Sequence, residues 1–175
     1  MFSVKVDGLD ILIKKISQLS DDAKLEVQNE LKAFSIQTVT DAKSLVQSNS
    51  SDTGQLASSI EYQVNDLQAK ISARAAYAAF VEFGTRKFAA QEVAKLPPDW
   101  QNYAATFKGK KTGNFDQFLQ RLIQWGKNKG FDERGAYLLA LKIMEEGTPA
   151  KPFLYPSITK NLSIFMKNVK DIFKI

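Results

Sequence analysis

Tyr77-Ala78-Ala79-Phe80-Val81-Glu82-Phe83-Gly84-Thr85 is the stretch on which the reading of this chain turns. Tyr77, Phe80 and Phe83 recur every third residue, so they align on one side of a short helical turn. Glu82 is the one charge among them. A carboxylate covered by such neighbours needs a cation or a donor. Arg86 is a candidate for that partner, on a neighbouring subunit if the run is a subunit contact. Gly84 fits a positive-φ turn, a backbone requirement rather than a chemical one. The structural alternative is an amphipathic turn packed into its own core.

Upstream of this run the pattern has period two. Ile60, Tyr62 and Val64 alternate with polar residues, then Ala69, Ile71 and Ala73 alternate again after Asn65-Asp66. That predicts a β-hairpin with Glu61, Gln63, Lys70, Ser72 and Arg74 on its polar face. Further upstream the period changes to that of a helix. Val27, Leu31, Phe34, Thr38, Ala42 and Leu45 keep one face over about five turns, with Ser20 as N-cap and Asp21 and Asp22 in the first turn. Gln47 to Gly54 reads as a polar loop. Val4 to Val6 reads as a short strand, and Asp7 caps a helix whose stripe is Leu9, Leu12, Ile13, Ile16 and Leu19.

Downstream, residues 93–113 hold Pro97-Pro98, Trp100, Tyr103 and the basic run Lys108-Gly-Lys-Lys-Thr-Gly113, and read as an irregular insertion. Asn114 caps a helix with Phe115, Phe118, Leu119, Leu122, Ile123 and Trp125 on one face, stopped at Gly130. Asp132 caps the next, which ends at Gly147. Pro152-Phe153-Leu154-Tyr155-Pro156 reads as an extended connector. A last helix carries Ile158, Leu162, Phe165, Val169 and Ile172. The fold class is therefore α+β: a long N-terminal helix on a small antiparallel sheet, a helical insertion and a C-terminal helix. The whole chain, 1–175, reads as one domain with an inserted loop and helical pair at about 93–147.

Composition narrows the chemistry. The 175 residues include neither Cys nor His. Disulfides, thiolate sites, imidazole ligands and a Ser-His-Asp triad cannot be built. No catalytic residue, metal or cofactor is assigned. Residues 1–106 hold 11 Lys/Arg against 13 Asp/Glu, and residues 107–175 hold 13 against 6, so the positive excess is C-terminal. Such asymmetry suits an anionic partner or a solubilising surface. Met1 to Gly8 lack a signal peptide's apolar segment, so secretion is not expected, and no apolar run suits a membrane span.

In order along the chain stand Val4 to Leu9, Asp52-Thr53-Gly54 with Ser59-Ile60, the run Tyr77 to Thr85, and Pro152 to Pro156. This ordered set resembles the tail-completion, head–tail joining (neck) proteins of long-tailed bacteriophages. The compact members lack a 93–147 region of this size. The resemblance implies a structural virion subunit, assembled in the host cytoplasm into a homo-oligomeric ring, usually a hexamer. Its neighbours would be a head-closure or connector protein and a tail terminator or tail tube protein, with DNA in the channel. It places Tyr77, Phe80, Glu82, Phe83, Gly84, Thr85, Arg86, Pro152 and Phe153 near subunit contacts.

Other readings of the same residues are weaker. Asp-Thr-Gly also occurs in aspartic proteases, but one copy would need a second chain and here it follows a Ser/Asn-rich loop. Lys108 to Gly113 lacks the spacing of a phosphate loop. Lys108, Lys110 and Lys111 are candidates for contact with DNA or an acidic partner. Trp100, Tyr103 and Phe107 could stack on bases or pack the insertion. The alternative function is a small basic nucleic-acid-binding protein.

Overall fold

A computed structural model describes residues 2–3, 21–50, 54–107, 114–127 and 129–173. The expected strand Val4–Val6, the Asp7-capped helix, the Ser20 cap, Asp52-Thr53 and the lysines Lys108, Lys110 and Lys111 lie outside the described residues. The elements are β1 (Phe2–Ser3), α1 (Asp21–Ser50), α2 (Gln55–Ser58), β2 (Ile60–Asn65), β3 (Gln68–Ala73), α3 (Ala78–Phe83), α4 (Arg86–Val93), α5 (Pro98–Ala105), α6 (Phe115–Lys127), α7 (Glu133–Glu146) and α8 (Leu154–Phe173). The α+β architecture read from the sequence is the one observed. Two compact units divide the chain: Met1–Ala78 with Lys151–Ile175, and Ala79–Ala150.

In the first unit α1 packs against α8 and the hairpin. The sheet is antiparallel with order β1-β3-β2. Pairing from Ile60↔Ala73 to Asn65↔Gln68 leaves Asp66-Leu67 as the turn. Asp66 takes a φ of 50°, which Asp tolerates better than most residues, and its carboxylate accepts from Gln28 Nε2 on α1 at 3.0 Å. The central strand β3 is the buried one: Ile71, Ser72 and Ala73 are all covered. Ser72 therefore departs from the solvated polar face expected of it, and its hydroxyl donates to Glu61 Oε1 on β2 at 3.4 Å.

Leu31, Phe165 and Val169 form the apolar core between α1 and α8, with Phe34, Leu162 and Met166 around them. Phe34 and Phe165 pack at 5.4 Å between centroids. Next to this core runs a buried polar seam. Ser35 donates to Leu31 O at 2.8 Å, and Ser157 donates to Phe153 O at 2.6 Å. The amide of Asn161 donates to Ser157 O and to Asp41 Oδ2, both at 2.9 Å. Lys160 Nζ reaches the same carboxylate at 2.9 Å. The Asn161 amide first, then Lys160 and Gln37, hold the Asp41 carboxyl below its ordinary pKa. Among the described residues, Thr38 Oγ1, buried in this seam, has no hydrogen-bond partner.

Three sequence expectations are corrected. Gln47–Ser50 continue α1 rather than opening a loop, because Ser48 bonds back to Leu45 O and Val46 is buried in the core. Residues 93–113 are not irregular throughout. Val93 ends α4 and Pro98 starts α5, where a proline's missing N–H costs nothing at the first helical position. The connector before α8 is shorter than expected, since helix begins at Leu154 with Pro156 inside the first turn, where proline is tolerated.

The second unit is helical. Asn114 Oδ1 accepts from Gln117 N at 2.8 Å to open α6, and Asp132 Oδ1 accepts from Gly135 N at 2.7 Å to open α7. Both N-caps are those the sequence predicts. The two helices pack as a pair, and α4 lies against α7.

Candidate subunit-contact site

The aromatic run folds as α3, a short helix that Gly84 stops at φ 72°. A Cβ on Gly84 would stand 2.8 Å from Ala150 N and 2.9 Å from Thr148 O. The backbone comes this close because a second segment is clasped to the first. Thr85 N donates to Thr148 O at 3.0 Å. Thr148 N donates to Thr85 Oγ1 at 2.7 Å, and the two threonine hydroxyls share a bond at 3.1 Å. Gly147 completes the clasp at φ 92°. A Cβ there would lie 2.2 Å from Thr85 O. The Gly-Thr pair that ends α3 thus meets the Gly-Thr pair that follows α7. Lys87 adds an ion pair to Glu146 at 2.9 Å beside the clasp, holding that carboxyl below its usual range.

Phe83 is the hub of an aromatic cluster. Its ring lies 6.2 Å from Trp100, 6.3 Å from Tyr103 and 6.3 Å from Phe107. Tyr103 and Phe107 meet edge to face at 5.2 Å. These geometries contribute beyond area burial. They also engage the three aromatic residues that sequence reading offered for base stacking. Beside the cluster lies an apolar groove of about 1080 Å³, bordered by Phe80, Arg86, Phe107, Phe118, Arg121 and Met144.

The sequence-selected residues fall into two sets. Glu82 is 1 % exposed, Phe83 4 % and Phe153 1 %, and all three are engaged within the chain. Tyr77 and Arg86 are exposed, and Phe80, Thr85 and Pro152 are half-buried. Partial burial pushes the Tyr77 phenol above its ordinary pKa. Arg86 opens α4 with a φ of 51°, a conformation few non-glycine residues adopt. In the sequence Gly147 marks only a helix stop, and nothing local distinguishes Thr148. The signal was the dipeptide Gly-Thr, present at 84–85 and again at 147–148.

Residues 10–84 match the model of the HK97-gp10-like family, described as "Bacteriophage HK97-gp10, putative tail-component". The resemblance to phage tail components read from the sequence holds over that segment, which ends at the glycine of the clasp. No curated protein and no solved structure matches the chain. Among the described residues no helix is long and apolar enough to cross a membrane.

Proposed function

We propose, with the tail-component match over residues 10–84 as premise, that this chain is a structural subunit of the phage neck. It would form a ring, of six copies by the family resemblance, that completes the tail and joins it to the filled head. The match carries the reading, because it spans α1, the hairpin and the aromatic run in the order the resemblance requires. Its neighbours would be a head-closure or connector ring on one side and a tail terminator or tail tube protein on the other.

Within this reading the site residues divide by exposure. Tyr77 and Arg86 are available for contact, with Phe80, Thr85 and Pro152 partly so. Glu82, Phe83 and Phe153 are buried within the chain. Tyr77→Ala and Arg86→Ala should leave the fold intact while lowering incorporation into particles. The decisive experiment removes the chain from a producing strain. Filled heads and separate tails that fail to join support the proposal. Normal joined particles lacking the chain would refute it. The nucleic-acid reading keeps one test: DNA affinity that falls steeply with salt and is lost on replacing Lys108, Lys110 and Lys111 by Ala.

A further inference from the structure

Helix α7 buries one side only. Ala136 and Ala140 are fully covered, while Tyr137, Leu138, Leu141 and Met144 are 45, 57, 43 and 44 % exposed. Four large apolar side chains on one helix face are more than scattered surface residues. Arg134, Leu138, Leu141 and Glu145 follow spacings of four, three and four along this face, the pattern of a helix–helix seam. Arg134 and Glu145, both exposed, close its two ends. Tyr137 and Met144 form one flank, and Lys142 the other.

The seam is complementary to itself in one orientation. Consider two copies turned antiparallel about a twofold axis level with the peptide between Leu139 and Ala140. Leu138 of each copy then meets Leu141 of the other. Arg134 meets Glu145 of the second copy, twice by symmetry, and Tyr137 meets Met144, a favourable thioether–aromatic contact. A parallel pairing would instead set Arg134 against Arg134 and Glu145 against Glu145. Like charges in register oppose that arrangement.

We propose that the exposed face of α7 is an isologous docking surface for a second copy of this chain, paired antiparallel through Leu138 and Leu141 and fixed in register by Arg134 and Glu145. Charge complementarity selects the occupant. The contact is small. A helix of this length runs about 20 Å, and the pair covers less than the roughly 1,600 Å² of a standard interface. The dimer is therefore weak, with association expected at about 100 µM protein. An isologous contact closes at two copies, whereas ring contacts are head-to-tail. The α7 pairing is thus a separate contact and does not rest on the neck reading.

The chain contains no cysteine, so one introduced thiol reports its own surroundings. Leu138→Cys chains are mixed with size-tagged Leu141→Cys chains and oxidised mildly at about 100 µM. The expected product is the mixed 138–141 crosslink, at least tenfold over either like-with-like product. Adding Arg134→Glu to both chains, or Glu145→Arg to both, should lower its yield several-fold, and adding both reversals should restore it. A yield insensitive to single reversals, or a double reversal that fails to rescue, overturns the proposal. So does an even mixture of crosslinks, or no crosslink between chains whose circular dichroism matches the parent. Loss of head–tail joining plays no part in this readout, so the two proposals fail independently.

Discussion

Replacing Gly147 by Ala tests the clasp directly. The residue sits at φ 92° and ψ −170°, a region that is essentially glycine-only and costs about 1–3 kcal/mol for other residues. The new Cβ would also lie 2.2 Å from Thr85 O and 2.7 Å from Thr85 C, where ordinary contact begins at 3.4 Å. The obstacle is backbone, so it cannot swing aside as a side chain would. Relief requires the two strands of the clasp to part by roughly 1 Å, an overpacking cost of about 1–3 kcal/mol. That movement also weakens the Thr85–Thr148 bonds, worth about 1 kcal/mol each. The expected total is about 3–6 kcal/mol. Gly130→Ala is the control, because Gly130 has a φ of 79° with nothing within 4 Å of a built Cβ. It should show the conformational penalty alone, about 1–2 kcal/mol. Native-state hydrogen exchange reads the result at the Thr85 and Thr148 amides. Equal costs for the two variants, or undiminished protection at Thr85 and Thr148 in Gly147→Ala, would refute the reasoning.

Two further expectations concern the α1–α8 seam. Thr38→Val removes a buried hydroxyl that has no partner among the described residues and keeps the shape, so urea unfolding should show a gain of about 1 kcal/mol rather than a loss. Asp41→Asn should cost about 1–2 kcal/mol near neutral pH. The folded pKa of Asp41 is depressed, so its stabilisation is present above the unfolded carboxyl value of about 3.9 and is lost as pH falls through the folded value. The stability gap between parent and variant should therefore be flat above pH ~5 and close in acid. A gap that widens on acidification would contradict the assigned network.

Local signals made much of this fold legible. Asn114 and Asp132 announce helix starts because a short acceptor side chain reaches a backbone N–H three residues on. Ile60 to Ala73 show a hairpin because alternation and a turn residue are both local. Pro97-Pro98 misled because proline marks a break and a beginning alike. Here Pro98 stands where a helix begins. The seam was half visible. The stripe of α8 was readable, but Ser35, Ser157 and Asn161 look like surface residues until another helix covers them. The clasp was invisible to pattern reading, since Thr85 and Thr148 are 63 residues apart and no periodicity links them. The aromatic cluster was readable as aromatic but not as a cluster, because only folding brings Trp100 and Phe107 to Phe83.

The clasp also bears on how the chain can reach this state. The first unit is assembled from two segments, and everything from Ala79 to Ala150 lies between them. Bringing α8 to α1 across an unfolded stretch of that length carries a closure entropy that grows by about 0.6 kcal/mol per doubling. Once Thr85 and Thr148 are joined, the stretch behaves as a connection of about ten residues. That is a shortening of about three doublings, or roughly 1.8 kcal/mol. A chain that closes its inserted unit first therefore meets a lower entropic cost when its terminal helices pair.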